Sequence, residues 1–313
     1  MSARIIMKLE VVGRERLTDE ISRLTFAHPN RPELPAWQPG AHVDLRLPDS
    51  KVRQYSLTSD PADLSHYGIT VKREADGRGG SAWVHDNLHQ GSIAHVSEPR
   101  NNFPLADGPG VFIAGGIGVT PMLAMARALA ARGDLRAFHL CEKARPSAFE
   151  DDLSRSPAGA FTMHVSADGP DARLNVEALI AGLPQDVHIY CCGPRRLIEA
   201  VEAATVDWPE EQVHFEVFTP MVDENFNPEP FDVTVASSGQ TYRVPADQSA
   251  LDVLREAGHV LPSSCELGVC GSCECEYTDG TVIHRDSVLR HNARQNRMML
   301  CVSRARVAVT VNI

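Results

Sequence analysis

The sequence predicts three domains: an antiparallel β-barrel, a doubly wound α/β domain with a parallel sheet, and a small carboxy-terminal domain around four cysteines. Three observations predict this order. Short alternating segments fill residues 1–104, strands and helices alternate from about residue 110, and a dense cysteine motif follows residue 264. The length of 313 residues is typical of two or three domains.

The cysteine motif predicts a metal centre. Its spacing is Cys-x4-Cys-x2-Cys with one distant partner, and its members are Cys265, Cys270, Cys273 and Cys301. This is the ligand spacing of a plant-type [2Fe–2S] cluster. Gly268 and Gly271 suit a loop around a cluster, which needs positive φ angles and close backbone approach. Zinc is the main alternative, although structural zinc sites usually have two similar two-cysteine knuckles.

The composition excludes other classes of protein. With a net charge of −11, we expect no nucleic-acid partner. The longest apolar region, residues 111–131, contains glycines, Pro121 and Arg127, and therefore predicts strand, loop and helix rather than a membrane span. The start of the chain lacks the apolar run of a signal peptide, so we expect a reducing cytoplasm and free or metal-bound thiols. We expect a monomer.

Residues 1–104 predict a barrel because short β-rich segments are separated by Pro, Gly, Asn and Asp. The predicted strands cover residues 5–12, 22–27, 42–47, 53–58, 68–72 and 93–96, with one helix over 80–88.

The second domain alternates strands over residues 111–114, 135–140, 161–165, 187–191 and 213–218 with helices over 120–132, 148–154, 176–181 and 195–205. This alternation is typical of a parallel sheet with helices on both faces. Three prolines in residues 220–230 predict a linker. The last domain has predicted strands over 231–236, 240–244, 274–277 and 305–311, and a helix over 249–257 capped by Ser249.

Two motifs of the barrel suit a flat, phosphorylated cofactor. The first is the strand motif Arg53, Gln54, Tyr55 and Ser56. There a tyrosine ring can stack, a serine can hydrogen-bond and an arginine can neutralise a phosphate. The second comprises Val71 and Lys72 and then the turn Gly77-Arg78-Gly79-Gly80-Ser81 before the helix. Glycines, a hydroxyl and a helix N-terminus can bind phosphate. An ordinary barrel strand and a flexible turn are the alternatives.

Two loops of the second domain suit a dinucleotide. One runs from Gly115 and Gly116 to Thr120 and Pro121, where we expect Thr120 to cap the helix and Pro121 to open it. It differs from the G-x-G-x-x-G fingerprint, so a tight turn is its alternative. The other is Cys192-Gly193-Pro194, also at a strand end. Both loops lie at the carboxyl edge of a parallel sheet, where ligands bind. A small buried hydrophobic residue is the alternative for Cys192.

Taken in this order, the motifs resemble the phthalate dioxygenase reductase family over essentially the full length, a group that includes vanillate O-demethylase reductases. The resemblance implies an FMN-binding barrel over residues 1–104, an NADH-binding α/β domain over 105–222 and a β-grasp, plant-type [2Fe–2S] ferredoxin domain over 231–313. It also implies an NADH-dependent oxidoreductase that passes electrons through FMN and the cluster to a Rieske-type aromatic-ring oxygenase or O-demethylase.

The resemblance also assigns site residues. Those implied to bind flavin are Arg53, Gln54, Tyr55, Ser56, Val71, Lys72, Gly79, Gly80 and Ser81, with Thr120 approaching from the nucleotide domain. Those implied to line the nicotinamide and pyrophosphate are Gly116, Pro121, Cys192, Gly193 and Pro194. Phe218 matches an aromatic residue that covers the flavin, and a core position on its strand is the alternative.

The order of the cofactors follows from electron counting. NADH delivers a hydride, which carries two electrons, a [2Fe–2S] cluster accepts one, and a flavin can accept two and release them singly. No protein general base is expected. Glu142 could hold a ribose 2′-hydroxyl, whereas Lys143 and Arg145 could bind a 2′-phosphate, and we expect NADH. A reductase for a haem monooxygenase and a non-enzymatic redox sensor are the alternative functions, and the nicotinamide and flavin motifs argue against the sensor.

The last domain also contains a basic run in an otherwise acidic chain. Its members are Arg285, Arg290, Arg294, Arg297, Arg304 and Arg306. Several of them could surround the cluster and attract an acidic patch of the partner protein. The alternative is that they are solvated or paired with acidic residues.

Overall fold

In the computed structural model, residues 5–48, 51–75, 77, 79–154, 160–218, 226–289 and 292–313 are described. They form two compact units, Met1–Glu216 and Val217–Ile313. The predicted fold class is confirmed, because the first unit contains an antiparallel and a parallel sheet and the second contains a five-stranded sheet. The predicted boundaries of the three domains stay predictions. None of the described helices is long and apolar enough to cross a membrane.

The antiparallel sheet has the strand order β4-β3-β6-β1-β2-β5. Its elements are β1 (Ile6–Arg16), β2 (Ile21–Ala27), β3 (His42–Arg46), β4 (Val52–Ser56), β5 (Tyr67–Lys72), α1 (Gly80–Asn87) and β6 (Ile93–Ser97). The two edges approach each other beyond β4, where Leu57 pairs with Ile69 and the Thr58 N–H donates to the Gly68 carbonyl at 2.8 Å. Buried and partly exposed residues alternate along β2, as one-sided burial of a strand requires.

The parallel sheet has the strand order β11-β10-β7-β8-β9. Its strands are β7 (Gly110–Gly115), β8 (Leu135–Glu142), β9 (Phe161–Val165), β10 (His188–Cys192) and β11 (Val213–Glu216). Its helices are α2 (Thr120–Arg132), α3 (Glu150–Ser154), α4 (Val176–Ala181) and α5 (Arg195–Ala204). All six residues of β7 are buried, as is typical of a central strand covered on both faces. The strand order reverses between β7 and β10, which creates a crevice at their carboxyl ends.

The second unit has the strand order β13-β12-β16-β14-β15, with β12 and β16 parallel and the other pairs antiparallel. Its elements are β12 (Phe231–Val235), β13 (Thr241–Val244), α6 (Ala250–Glu256), β14 (Glu274–Ile283), β15 (Arg297–Met299) and β16 (Arg304–Asn312). Ser249 caps α6 as predicted. Its hydroxyl accepts from the Asp252 N–H at 3.1 Å, and its own N–H donates to the Asp252 carboxylate at 3.2 Å.

Candidate functional site

The two barrel motifs meet where β4 passes the N-terminus of α1. A Cβ atom at Gly80 would overlap the side chain of Arg53, whose Cγ lies 2.8 Å from that position. The N-cap residue Gly79 has a φ of 77°, and no side chain of the described residues caps α1. The first N–H groups of α1 and the Arg53 guanidinium therefore lie together, which is an arrangement that can hold a phosphate.

The other residues of the barrel motifs differ in their surroundings. Tyr55 packs on the barrel core, and burial raises the pKa of its hydroxyl well above the ordinary value. The Gln54 amide donates to the Asp44 carboxylate at 3.2 Å and lies 3.1 Å from His42 Nε2, so it belongs to an internal network of the barrel.

The remaining members of the two motifs are buried or have polar partners. Ser56 and Val71 are buried, and Lys72 Nζ pairs with the Glu74 carboxylate at 3.0 Å. The Ser81 hydroxyl accepts from the Glu74 N–H at 3.0 Å, so the turn before α1 is closed on itself. Arg78 of this turn lies outside the described residues.

The two nucleotide loops touch each other backbone to backbone at the carboxyl ends of β7 and β10. A Cβ atom at Gly118 would overlap the Cys192 carbonyl and lie 2.8 Å from the Gly193 nitrogen. A side chain at Gly118 would therefore drive the two loops apart. The structure thus brings the predicted nucleotide loops together at the point where the strand order reverses.

The start of α2 corrects one prediction. The helix begins at Thr120 itself after a 3₁₀ turn over Gly116–Val119, so Val119 is the N-cap and Thr120 is not. The Thr120 hydroxyl donates to the Ile117 carbonyl at 2.9 Å instead of capping an N–H group. Pro121 is therefore the second residue of the helix and not, as predicted, the first, although it still lies in the first turn.

Cys192 and Glu216 are neighbours on β10 and β11 at the same edge of the sheet. Cys192 is fully buried, and burial raises the pKa of its thiol. Burial also raises the pKa of the Glu216 carboxyl from its ordinary 4.5 to about 8, and its Oε2 atom has no hydrogen-bond partner among the described residues. Sequence reasoning missed Glu216. Glu216 lay inside the strand predicted over residues 213–218, whereas the observed strand ends at Glu216 and its register places this carboxyl beside Cys192.

Glu142 ends β8 next to the same crevice. Its Oε1 atom accepts from the Ser147 hydroxyl at 2.8 Å, and its Oε2 atom lies 4.0 Å from the position of a Cβ atom on Gly116. Burial raises the pKa of this carboxyl. Arg145 contacts acidic residues, with 3.3 Å to the Glu150 carboxylate.

The four cysteines of the predicted metal centre fall into two pairs. The thiols of Cys265 and Cys270 share a hydrogen bond, and so do those of Cys273 and Cys301. The hydrogen bond from Cys265 lowers the pKa of the Cys270 thiol. Nowhere in the described part of the chain do three Cys, His, Asp or Glu side chains group closely enough to hold one metal ion. The thiols also act on one another across the pairs, Cys270 on Cys273 and Cys265 on Cys301, so the four lie together as the ligands of one [2Fe–2S] core would.

The backbone of the cysteine loop curls tightly round these thiols. Gly268 has a φ of 73°, and a Cβ atom there would lie 2.6 Å from Val302 Cγ2 and 3.1 Å from Asp286 Cα. The Leu267 N–H donates to Cys265 Sγ at 3.3 Å. Thiols that accept N–H hydrogen bonds in a loop that depends on glycine form a set of ligands that fits a [2Fe–2S] cluster.

The basic run of the last domain is mostly engaged in internal contacts. Arg304 is only 5% exposed and donates to the carbonyls of Glu229, Pro245 and Gln248. The docking prediction is therefore wrong for Arg304, which holds three segments of the domain together.

Other members of the run also have partners. Arg297 pairs with the carboxylates of Glu274 and Glu276, and the Arg285 guanidinium lies 4.1 Å from the centre of the Phe226 ring. Arg290 lies outside the described residues.

Comparisons with known proteins agree with this geometry. The family model of the 2Fe-2S iron-sulfur cluster binding domain matches residues 233–306. The phthalate 4,5-dioxygenase oxygenase reductase subunit of Pseudomonas putida is 39% identical over 310 residues, which are 97% of this chain and 95% of the relative.

Two solved structures are similar along the whole chain. A phthalate dioxygenase reductase, described as a modular structure for electron transfer from pyridine nucleotides to [2Fe–2S], has a TM-score of 0.72 and 34% identity, with 98% of each chain covered. An intact type IV self-sufficient cytochrome P-450 monooxygenase has a TM-score of 0.88 and 36% identity. There the similarity covers 99% of this chain but 41% of that longer chain.

The two sheets, the crevice between the nucleotide loops and the cysteine loop define an electron-transfer reductase with a ferredoxin domain. The chain belongs to the phthalate dioxygenase reductase family. This membership confirms the predicted function, a reductase component of a multicomponent oxygenase that works with a terminal oxygenase. It also confirms the predicted cofactors, which are FMN, NADH and a [2Fe–2S] cluster.

Proposed function

We propose that the chain delivers electrons from NADH, through FMN and its [2Fe–2S] cluster, to a Rieske-type aromatic-ring oxygenase or O-demethylase. The observation that carries this proposal is the pairing of the four cysteines in a loop with N–H donors, on the same chain as the phosphate-binding turn and the nucleotide crevice. In this proposal residues 1–104 bind FMN, residues 105–222 bind NADH and residues 231–313 bind the cluster. The cluster ligands are Cys265, Cys270, Cys273 and Cys301.

The FMN phosphate has a site at Arg53 and the first N–H groups of α1, because a guanidinium and helix N–H groups there both favour an anion. The Tyr55 ring packs against the flavin, and Ser81 helps to hold the phosphate. When bound, the flavin supplies the conversion between two-electron and one-electron transfer. The remaining flavin-binding residues are Gln54, Ser56, Val71, Lys72, Gly79 and Gly80, with Thr120 from the nucleotide domain. That Phe218 covers the flavin stays a prediction, and its side chain is 42% exposed.

The nicotinamide and the pyrophosphate of NADH occupy the crevice between the nucleotide loops, beside Gly116, Pro121, Cys192, Gly193 and Pro194. The close backbone contact of Gly118 with Gly193 supports this site, because it leaves bare peptide groups at the mouth of the crevice. The protein's part is to orient the nicotinamide and to exclude water and oxygen, and none of these residues needs to act as a general base.

Nucleotide choice provides one test. We expect wild-type protein to prefer NADH, because Glu142 can accept hydrogen bonds from ribose hydroxyls and would repel a 2′-phosphate. Glu142→Ala should reduce the ratio of kcat/KM for NADH to that for NADPH by about tenfold, the effect of losing one hydrogen bond to a charged group. Steady-state dye reduction measures both constants, and the exposed Glu177→Ala on α4 is the control. A wild-type preference for NADPH would assign the 2′ site to Lys143 and Arg145.

Glu216 provides a second test. Its neutral carboxyl can donate a hydrogen bond to the nicotinamide carboxamide, and it loses this proton as the pH rises through about 8. We therefore expect kcat/KM for NADH in dye reduction to fall above pH 8. Glu216→Gln stays a neutral donor and should remove the fall, whereas Glu216→Ala should lower kcat/KM at every pH. The exposed Glu211→Gln should retain the wild-type profile, and a fall that persists in Glu216→Gln would exclude this role.

The same carboxyl links stability to pH. Its pKa is higher in the folded chain than its ordinary 4.5, so the folded state keeps a proton that the unfolded state releases. This contribution to stability is fully present below about pH 4.5 and is lost as the pH rises through about 8. Glu216→Gln should therefore weaken the decrease of the free energy of unfolding between those values, as urea titrations at several pH values would show.

A haem partner is the second candidate, since a self-sufficient cytochrome P-450 monooxygenase contains a region similar to the whole of this chain. The two candidates separate on reconstitution. The purified chain is mixed with NADH and either a Rieske-type oxygenase or a haem monooxygenase component, and the reduction of each acceptor is followed. If the haem protein is reduced and the Rieske-type oxygenase is not, the Rieske proposal is excluded.

The chain is proposed to act in the cytoplasm, where NADH is available and where the eight cysteines, all free of disulfides, would stay reduced. A non-enzymatic sensor would not sustain catalytic NADH oxidation. The expectations of a monomer and of no nucleic-acid partner stay predictions.

A further inference from the structure

Arg255, on the last turn of α6, joins the helix to the cysteine loop. Its guanidinium donates to the Glu266 carboxylate at 2.8 Å, to the Leu261 carbonyl at 3.1 Å and to the Ser263 hydroxyl. The same hydroxyl donates to the Glu266 carboxylate at 2.8 Å. These side chains form a closed network, here called the Arg255–Ser263–Glu266 clamp. It is anchored in the core, because Leu251 and Leu254 of α6 are fully buried.

Glu266 is the residue of the loop whose backbone conformation needs to be stabilised. Among the residues that the structure describes, it is the only non-glycine residue with a positive φ, at 55°. The left-handed region costs free energy for a residue with a side chain. This turn comes between Cys265 and Leu267, whose N–H donates back to Cys265 Sγ at 3.3 Å. The strained residue and the hydrogen bond to sulfur are therefore parts of one turn.

We propose that the Arg255–Ser263–Glu266 clamp holds Glu266 in its left-handed conformation and so keeps the Leu267 N–H directed at the Cys265 sulfur. Arg255 and Ser263 are positioning residues in this account, and it rests on the proposed role of Cys265 as a cluster ligand. An N–H donor to a ligand sulfur stabilises the more negative, reduced state of a cluster. Removing contacts of the clamp should therefore lower the reduction potential of the cluster and make the cluster dissociate more easily.

The geometry of the clamp matters more than its charge. The side chains of Arg255 and Glu266 are 35% and 49% exposed, and an ion pair at that exposure contributes little to stability by itself. The planar guanidinium, however, reaches Glu266 through one nitrogen and Leu261 and Ser263 through the other, whereas a lysine has a single nitrogen with which to reach all three. A lysine at position 255 should thus keep the charge and lose the function.

The test compares the full chain, loaded with its cofactors, in four variants. Arg255→Met and Arg255→Lys should both lose the visible absorption of the cluster to a chelator about tenfold faster than wild type, the usual effect of removing a residue that supports a metal ligand. Both should also lower the midpoint potential. Glu266→Gly should behave nearly as wild type, because glycine adopts a positive φ without strain. The double variant Arg255→Met, Glu266→Gly should recover most of the loss caused by Arg255→Met.

A matched control is Arg243→Met, which breaks the exposed ion pair of Arg243 with Asp232 at 3.0 Å on β12 and β13. It should leave chelator bleaching and midpoint potential unchanged. The electron paramagnetic resonance spectrum of the reduced cluster is the second readout. The far-ultraviolet circular dichroism of each variant and its thermal unfolding show whether the unit that contains the substitution has folded, because the flavin motifs lie in the other compact unit. If Arg255→Met does not fold, Ser263→Ala is tested in its place.

The possible failures are distinguishable. A wild-type chain without about two irons would refute the proposed ligands and hence the proposed function. A normal wild-type cluster with unchanged bleaching and potential in Arg255→Met would overturn the clamp alone. A wild-type result for Arg255→Lys would show that charge rather than geometry acts at this position. Failure of Glu266→Gly to restore Arg255→Met would show that the conformation of Glu266 is not what the clamp protects.

Discussion

Cys270→Ser should remove the visible absorption of the iron–sulfur cluster and abolish oxygenase-coupled turnover, while NADH-to-dye reduction keeps most of its rate. Cys270 is 3% exposed and shares a hydrogen bond with Cys265, so its loss removes one of the two thiol pairs. The flavin and nucleotide motifs lie in the first compact unit and Cys270 lies in the second. A soluble dye that accepts electrons from the flavin bypasses the cluster.

The measurement is the steady-state rate of dye reduction beside that of coupled turnover. Cys275→Ser is the matched control, because Cys275 is a buried cysteine near the start of β14 that lies outside the ligand motif. It should keep the cluster. If Cys270→Ser loses dye reduction to the same extent as coupled turnover, the two steps do not occur in separate parts of the chain.

Arg53→Ala should weaken the binding of FMN by about thirtyfold, which corresponds to roughly 2 kcal/mol for a hydrogen-bonded charge at a phosphate. The guanidinium packs on Gly80 at the uncapped start of α1, where no nearby side chain of the described residues replaces it as a cap. The dissociation constant is obtained from the recovery of flavin fluorescence on dilution. Lys51→Ala removes an exposed positive charge just before β4 and should have little effect.

Equal weakening by Arg53→Ala and Lys51→Ala would show that only the general field of the barrel acts on the phosphate. Unchanged binding in Arg53→Ala would place the phosphate elsewhere. Either result would remove Arg53 from the proposed flavin site and leave the cysteine loop untouched.

Most of the fold could be predicted because its signals are local. Helix α2 covers Thr120–Arg132, as its apolar periodicity predicted. Strand β10 could be predicted from a short run of mostly apolar residues, and these are buried in the structure. The cysteine loop has a spacing that few other structures need. The capping of α6 was also visible, because Ser249 and Asp252 have the separation of a capping box.

The parts that could not be predicted depend on tertiary contacts. Strand β15 has three residues and pairs only with β14, so no periodicity could reveal it. Arg304 looked like a surface charge, yet it is buried among carbonyls as distant in sequence as Glu229. Glu216 became visible as a site residue only when the strand register placed it beside Cys192.

The most direct test of the central account is an anaerobic rapid-mixing experiment with NADH and the purified chain, followed at the flavin and cluster absorption bands. The account predicts two ordered phases, in which the flavin absorption falls first and the cluster absorption falls afterwards. It also predicts that only the second phase is missing in Cys270→Ser. Cluster absorption that falls before the flavin absorption, or that never responds to NADH, would contradict it.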